Sequence, residues 1–264
     1  MNVFGTIVVG HDGTPAADAA LRLAEQLAGD GARLLLARVV TAGHLGDAEA
    51  ELAALSDRAE VRAVIGHSPE RGLAALAREE DADLIVVGSD RRSGDYRAHN
   101  VLGLRLLRGA PCAVALASAD GEAEIRRIGV AYDGSAEAEL ALEAAYAIAQ
   151  RLRAAITLYL AVLPEYTEDL RAQLVHREAG ALLDAAAERA PDGVNPETVV
   201  VTGYASLALA ERIGGVIDLL VVGSRRQGPI RHALLGSTSS ALAVELDCAV
   251  LVTPRGSHRQ VAAA

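Results

Sequence analysis

Ile7-Val8-Val9-Gly10-His11-Asp12-Gly13-Thr14 returns later in the chain as Ile128-Gly129-Val130-Ala131-Tyr132-Asp133-Gly134-Ser135, with Asp-Gly-[Thr/Ser] in register. A second pair keeps the same order: Leu84-Ile85-Val86-Val87-Gly88-Ser89 and Leu219-Leu220-Val221-Val222-Gly223-Ser224. The two cysteines obey the repeat as well, in Cys112-Ala113-Val114 and Cys248-Ala249-Val250. A repeat of this length makes two copies of one domain, because each copy is long enough to bury its own core. The expected domains are residues 1–120 and 121–264, joined in the small, charged stretch 118–124, with an aperiodic tail from about residue 255.

Each copy alternates short aliphatic runs with longer helical patterns. The runs fall at 6–10, 33–40, 61–65, 84–88 and 113–116, and again at 128–131, 156–163, 198–201, 219–223 and 249–252. They are continuously apolar rather than alternating, which is the pattern of parallel strands covered on both faces. Between them, Ala17, Ala20, Leu21, Ala24, Leu27 and Ala28 recur at helical spacing, as do Ala138, Ala141, Leu142, Ala145, Ile148 and Leu152. Thr14-Pro15 reads as a helix start with a capping hydroxyl and proline in the first turn, and Ser135 is the matching cap. The expected class is therefore α/β, with two tandem five-stranded parallel sheets and helices on both faces, joined by right-handed crossovers.

Composition removes several functions. A net charge of −10 argues against a nucleic-acid partner, since binding a phosphate backbone relies on clustered cations. The chain contains no lysine, so a Walker-type phosphate loop cannot be completed. Two cysteines beside apolar runs read as buried thiols rather than a disulfide framework. No apolar stretch approaches the roughly 20 residues that a membrane span needs, and no leader-like segment opens the chain, so a cytoplasmic protein is expected. His11, His67 and His99 have no metal-ligand spacing and read as solvated or satisfied loop histidines. No nucleophile–base–orienter set can be assembled.

In an open parallel sheet, ligands sit at the carboxyl ends of the strands. The Asp-Gly-[Thr/Ser] turn, the end of strand two and the Gly-Ser turn after strand four collect there. Only the second copy continues from Gly223-Ser224 into Gly236-Ser237-Thr238-Ser239, a glycine-led helix start whose free N–H groups suit a phosphate. Arg225, Arg226, Arg231 and His232 surround that loop with positive charge. An ordinary helix cap accounts for Gly-Ser equally well when it is taken alone, and Asp133 is suited to capping its own turn. Coupling the loop to the strand-one Asp inside a repeat favours nucleotide binding.

On these residues the chain resembles the universal stress proteins in their tandem two-domain form, over nearly its whole length. The resemblance rests on the opening strand into Asp-Gly-Ser, the "DLIVVGS"-like strand four, the Gly-x2-Gly-x9-Gly-[Ser/Thr] loop and the closing Cys-Ala-Val strand. It implies a Rossmann-like sheet of order 3-2-1-4-5 and, in members with that loop, bound ATP, with or without Mg²⁺. Carried onto this sequence, Gly223, Gly236 and Ser237 match the phosphate loop, with Ser224 and Thr238 beside it. Asp133, in the Asp133-Gly134 turn, matches the base- or ribose-side carboxylate, and Val162 matches the aliphatic adenine wall. The second loop glycine is replaced by Arg226, which either pairs with phosphate oxygens or fills the cleft.

Copy one keeps Asp12, Gly13, Val39 and Gly88-Ser89, but its loop lacks the closing Gly-[Ser/Thr] and carries Asp90 and Asp95. It is expected to be a structural partner. The resemblance further implies an intramolecular pseudo-dimer with the fifth strands facing each other, and leaves room for a dimer of whole chains. The function it implies is ATP-binding stress-response regulation without catalysis. The alternatives are a nucleotide-free scaffold of the same fold and a slow ATPase.

Overall fold

A computed structural model describes residues 3–89, 101–118, 124–163, 170–224 and 237–253. These form two compact units, one before and one after the 119–123 segment. The N-terminal unit runs β1 (Thr6–Gly10), α1 (Pro15–Leu27), β2 (Arg33–Val40), α2 (Leu45–Ala53), β3 (Glu60–Ile65), α3 (Pro69–Glu79), β4 (Leu84–Ser89), α4 (Val101–Gly109) and β5 (Ala113–Ser118). The C-terminal unit repeats the plan: β6 (Arg127–Ala131), α5 (Ala136–Leu152), β7 (Ala155–Val162), α6 (Leu170–Ala187), β8 (Glu197–Thr202), α7 (Ala205–Ile213), β9 (Leu219–Gly223), α8 (Ser237–Glu245) and β10 (Ala249–Thr253).

Within the N-terminal unit the strands lie in the order β3-β2-β1-β4-β5, and within the C-terminal unit in the equivalent order β8-β7-β6-β9-β10. The pairings within both units are parallel. Each unit is thus a five-stranded parallel α/β sheet, as the aliphatic runs led one to expect, in the 3-2-1-4-5 order that the family resemblance implied. The central strands are the driest part of the protein: Ile7, Val8, Val9, Leu84, Ile85, Val86 and Val87 are fully buried, as are Leu219, Leu220 and Val221.

Helices cover both faces because neighbouring residues of a strand point opposite ways. A Cβ on Gly10 would meet Leu73 of α3 at 2.7 Å, whereas one on Gly88 would meet Ala16 O of α1 at 2.2 Å. Gly10 pairs with Val87, one residue out of phase with Gly88, so α1 and α3 lie on opposite faces. The helix starts follow the sequence. Thr14 accepts from the Ala17 N–H at 3.3 Å, and Ser135 from the Ala138 N–H at 3.3 Å. Ser68 caps α3, which like α1 begins with proline. The α5 helix stops at Arg153, whose left-handed φ of 54° ends the ladder.

Both cysteines are buried and free, and burial pushes the Cys112 thiol up to about 12. Among the described residues no helix is long and apolar enough to cross a membrane.

Candidate functional site

The loops that leave the carboxyl ends of β6, β7, β8 and β9 enclose a cleft of about 290 Å³ in the C-terminal unit. One wall is the alternate face of β7 and its extension: Tyr159, Ala161 and Leu163. Opposite lie Gly203, Ala205 and Leu209, from the end of β8 and the first turns of α7. The Tyr132-Asp133 turn with Ser135 closes one side, and Thr238 and Ser239 bring the start of α8 to the other. Asp133 is the one charged side chain among the described residues of this lining.

The Asp-Gly-Ser turn is held by its own groups. Asp133 Oδ1 accepts the Ser135 N–H at 3.0 Å, and Ser135 Oγ then caps α5. Gly134 has φ +74°, a left-handed conformation that side chains other than glycine rarely adopt. Its N-terminal counterpart Gly13 has φ +87°.

Tyr132 joins the lining beside Ala131 but is nearly inaccessible at 3 % exposure, and its side chain, in register with Leu160, turns to the α5 side of the sheet. Its hydroxyl donates to Glu139 and accepts from Arg189 Nη2 at 3.0 Å, while Arg189 Nη1 reaches Glu139 Oε2 at 3.0 Å. Burial, then the Glu139 hydrogen bond, push the Tyr132 phenol up, so it stays protonated at neutral pH. Burial also opposes ionised Glu139, but the bonds from Arg189 and Tyr132 outweigh it and hold that carboxyl below its ordinary range. Burial likewise raises the Tyr159 phenol.

Of the residues singled out in the sequence, Asp133, Gly223 and Thr238 line the cleft together. Gly134 and Ser224 sit next to lining residues without joining the lining. The Ser224 N–H donates to Thr253 O at 3.1 Å, extending the β9–β10 ladder by one bond. Ser237 opens α8, while Arg226 and Gly236 lie outside the described residues. Val162 is placed differently from the expectation. It is buried between Ala161 and Leu163 and faces the other side of the sheet, so those neighbours supply the aliphatic wall.

Gly223 also has a reason that the sequence did not show. A Cβ there would stand 2.4 Å from Glu137 O and 2.5 Å from Glu137 C, in the first turn of α5. Gly88 meets the same obstacle, with Ala16 O at 2.2 Å. Glycine at this position therefore lets a helix lie against the strand end in both units, whether or not a ligand is present.

The missed contributors are Tyr132, Tyr159, Ala161, Leu163 and the β8–α7 corner. The strand-two spacing 159, 161, 163 was the available signal, hidden because the whole run is apolar. A tyrosine, small aliphatic walls, one carboxylate and a helix start together suit a flat heterocycle carrying a polar, anionic tail.

A parallel 3-2-1-4-5 sheet present twice in one chain, with an Asp-Gly turn after each first strand, defines a tandem Rossmann-like α/β protein. The model of the universal stress protein family matches residues 41–117 and 124–254, and the chain belongs to that family. Among solved structures, it is similar to a putative universal stress protein from Pseudomonas aeruginosa UCBPP-PA14 at 19% identity and a TM-score of 0.70, over 95% of this chain and 93% of that one. A universal stress protein from Archaeoglobus fulgidus DSM 4304 aligns at 18% identity and a TM-score of 0.68, over 96% of this chain and 99% of that one. At these identities the likeness concerns the fold. No match was found among curated proteins.

Proposed function

We propose that the protein is a stress-response regulator whose C-terminal unit binds an adenine nucleotide, ATP foremost, and that the bound nucleotide modulates conformation or association rather than being turned over. One observation carries this reading: the cleft among the described residues lies at the carboxyl ends of β6, β7 and β9, where the Asp-Gly-Ser turn and the start of α8 converge. Its volume of about 290 Å³ is near the lower end of the roughly 300–1,000 Å³ of small-molecule sites, adequate for a nucleoside with its phosphates extending along the α8 start. Tyr159, Ala161 and Leu163 supply the apolar surface for the base, and Asp133 is at the side where sugar hydroxyls would lie.

The regulatory rather than catalytic role is supported by the lining itself. Its ionisable groups among the described residues are Asp133 and two phenols whose titration burial raises. None of these supplies an activated nucleophile for phosphoryl transfer.

The test is isothermal calorimetry with ATP, ADP and AMP, with and without Mg²⁺, on wild type and Gly236→Asp. A carboxylate placed at the helix start repels phosphate and costs a charge-assisted hydrogen bond, so affinity falls by roughly ten- to a hundred-fold while thermal stability holds. Unchanged affinity in Gly236→Asp sinks the phosphate-loop assignment. Absence of any nucleotide binding by the wild type would leave the scaffold reading in its place.

A further inference from the structure

The floor of the cleft is built unlike its counterpart in the N-terminal unit, and three positions carry the difference. Ala131 pairs with Tyr159 near the carboxyl ends of β6 and β7, and both line the cleft. Two residues earlier, on the same face of β6, stands Gly129, paired with Thr157. In the repeat Gly129 takes the place of Val8. Tyr159 takes the place of Ala37, which pairs with Gly10 as Tyr159 does with Ala131. Ile217, just before Asp218, takes the place of Ala82, just before Asp83. Valine, alanine and alanine in one unit are thus glycine, tyrosine and isoleucine in the other.

The exchange is one of space. A Cβ on Gly129 would stand 3.2 Å from Tyr159 Cε2 and 2.7 Å from Ile217 Cδ1. The edge of the tyrosine ring therefore lies beside the bare glycine, with the tip of the isoleucine next to it. The phenol oxygen points the same way. Burial pushes its titration up, a hydrogen bond with Thr157 and the charge of Arg212 act against that push, and Glu197 adds to it. Thr157 is near the start of β7, Glu197 opens β8 and Arg212 is in the last turn of α7. All three belong to the amino ends of the strands, away from the loops that enclose the cleft. The Tyr159 ring thus reclines along the sheet, away from the cleft mouth.

We propose that Gly129 is a positioning residue for the cleft: by carrying no side chain it lets the Tyr159 ring lie back toward the amino ends of the strands, which leaves the space beside Ala131 and Ala161 to the planar base of the ligand. This rests on the nucleotide-binding reading and adds the residue that sets the depth of the base pocket. A valine at position 129, as at position 8, would drive the ring toward the carboxyl ends, because Ile217 and Thr157 occupy the opposite direction.

The experiment uses the full chain as wild type, Gly129→Val, Tyr159→Ala and the double variant Gly129→Val/Tyr159→Ala. Affinities for ATP and for adenosine are read by calorimetry, and crystal structures of the unliganded wild type and Gly129→Val locate the ring. Gly129→Val is expected to shift the ring toward Ala161 and to lose roughly tenfold in affinity, alike for both ligands, as overpacking of a filled site does. In the double variant the valine adds nothing to the loss caused by Tyr159→Ala, since no ring is left to displace, whereas a merely structural effect of the valine would add to it. Gly129→Val/Ile217→Ala relieves the 2.7 Å contact, reproduces the Val8 and Ala82 of the N-terminal unit, and replaces the single variant should Gly129→Val not fold. Wild-type affinity with valine at 129, an unmoved ring, or additive losses in the double variant overturns the proposal. If the wild type binds neither ligand, the nucleotide reading fails, and the ring positions alone decide what Gly129 does.

Discussion

Gly223 shows how one residue can look like a ligand contact and yet be fixed by packing. Its missing side chain is where the first turn of α5 passes, with Glu137 O only 2.4 Å from a would-be Cβ. Backbone cannot step aside as the tip of a flexible side chain can, so an added methyl forces α5 away from β9. Gly223→Ala is expected to cost about 1–3 kcal/mol, as overpacking of a tight core does. At this chain length that corresponds to several degrees of Tm. Gly88→Ala, facing Ala16 O at 2.2 Å, should cost as much although its unit is expected to hold no nucleotide. Parallel thermal melts check this: a full-stability Gly223→Ala protein that had lost only nucleotide affinity would return the glycine to the ligand.

At the scale of elements, the starts of strands one and four are tied in each unit by an aspartate. Asp83 Oδ2 accepts the Gly5 and Thr6 N–H groups at 2.8 and 3.0 Å. Asp218 Oδ2 accepts those of Arg126 and Arg127 at 2.9 and 2.8 Å, and its Oδ1 meets Arg127 Nη2 at 2.6 Å. Burial acts to raise the Asp218 pKa, but the bonds from the Arg127 side chain and the two amides outweigh it and hold the carboxyl below its ordinary range. A carboxyl depressed in the folded state binds fewer protons there than in the unfolded chain. Its contribution is therefore present above the unfolded pKa of about 3.9 and is lost as pH falls through the folded value. Asp218→Asn should lower unfolding free energy by about 1.5–3 kcal/mol at pH 7, the worth of hydrogen bonds to a charged group. Denaturant titrations of both proteins should converge once pH drops below the folded pKa of Asp218. An equal gap at both pH values would mean that the charge is not what ties the strands.

These elements were largely legible beforehand. Aliphatic runs bounded by Asp-Gly and Gly-Ser turns marked the strands of both sheets, the family resemblance supplied their order, and Thr14 and Ser135 marked the helix starts. What stayed hidden was which face each strand residue takes. The β7 run is apolar throughout, so it has no period-two signal to separate Val162 from Ala161 and Leu163. Nor could sequence show that α7 would form the far wall, or that the Tyr132 hydroxyl would be drawn off by Arg189, fifty-seven positions along the chain.

For the whole molecule, duplication has produced two similar sheets with unequal turns. The N-terminal turn has its glycine amide taken by His11 and its His11 carbonyl by Arg38, which also pairs with Glu51. The C-terminal turn opens on a cleft. A titration of the full chain should therefore saturate at one tight nucleotide per polypeptide. Two equivalent sites would show that the N-terminal turn yields to ligand after all. The walls of the cleft carry one more consequence. The chain has six tyrosines and no tryptophan, so its near-ultraviolet emission is tyrosine emission. One of those emitters, Tyr159, borders the cleft. A ligand arriving there is expected to change the protein's own fluorescence, with no dye or engineered reporter standing between occupancy and signal.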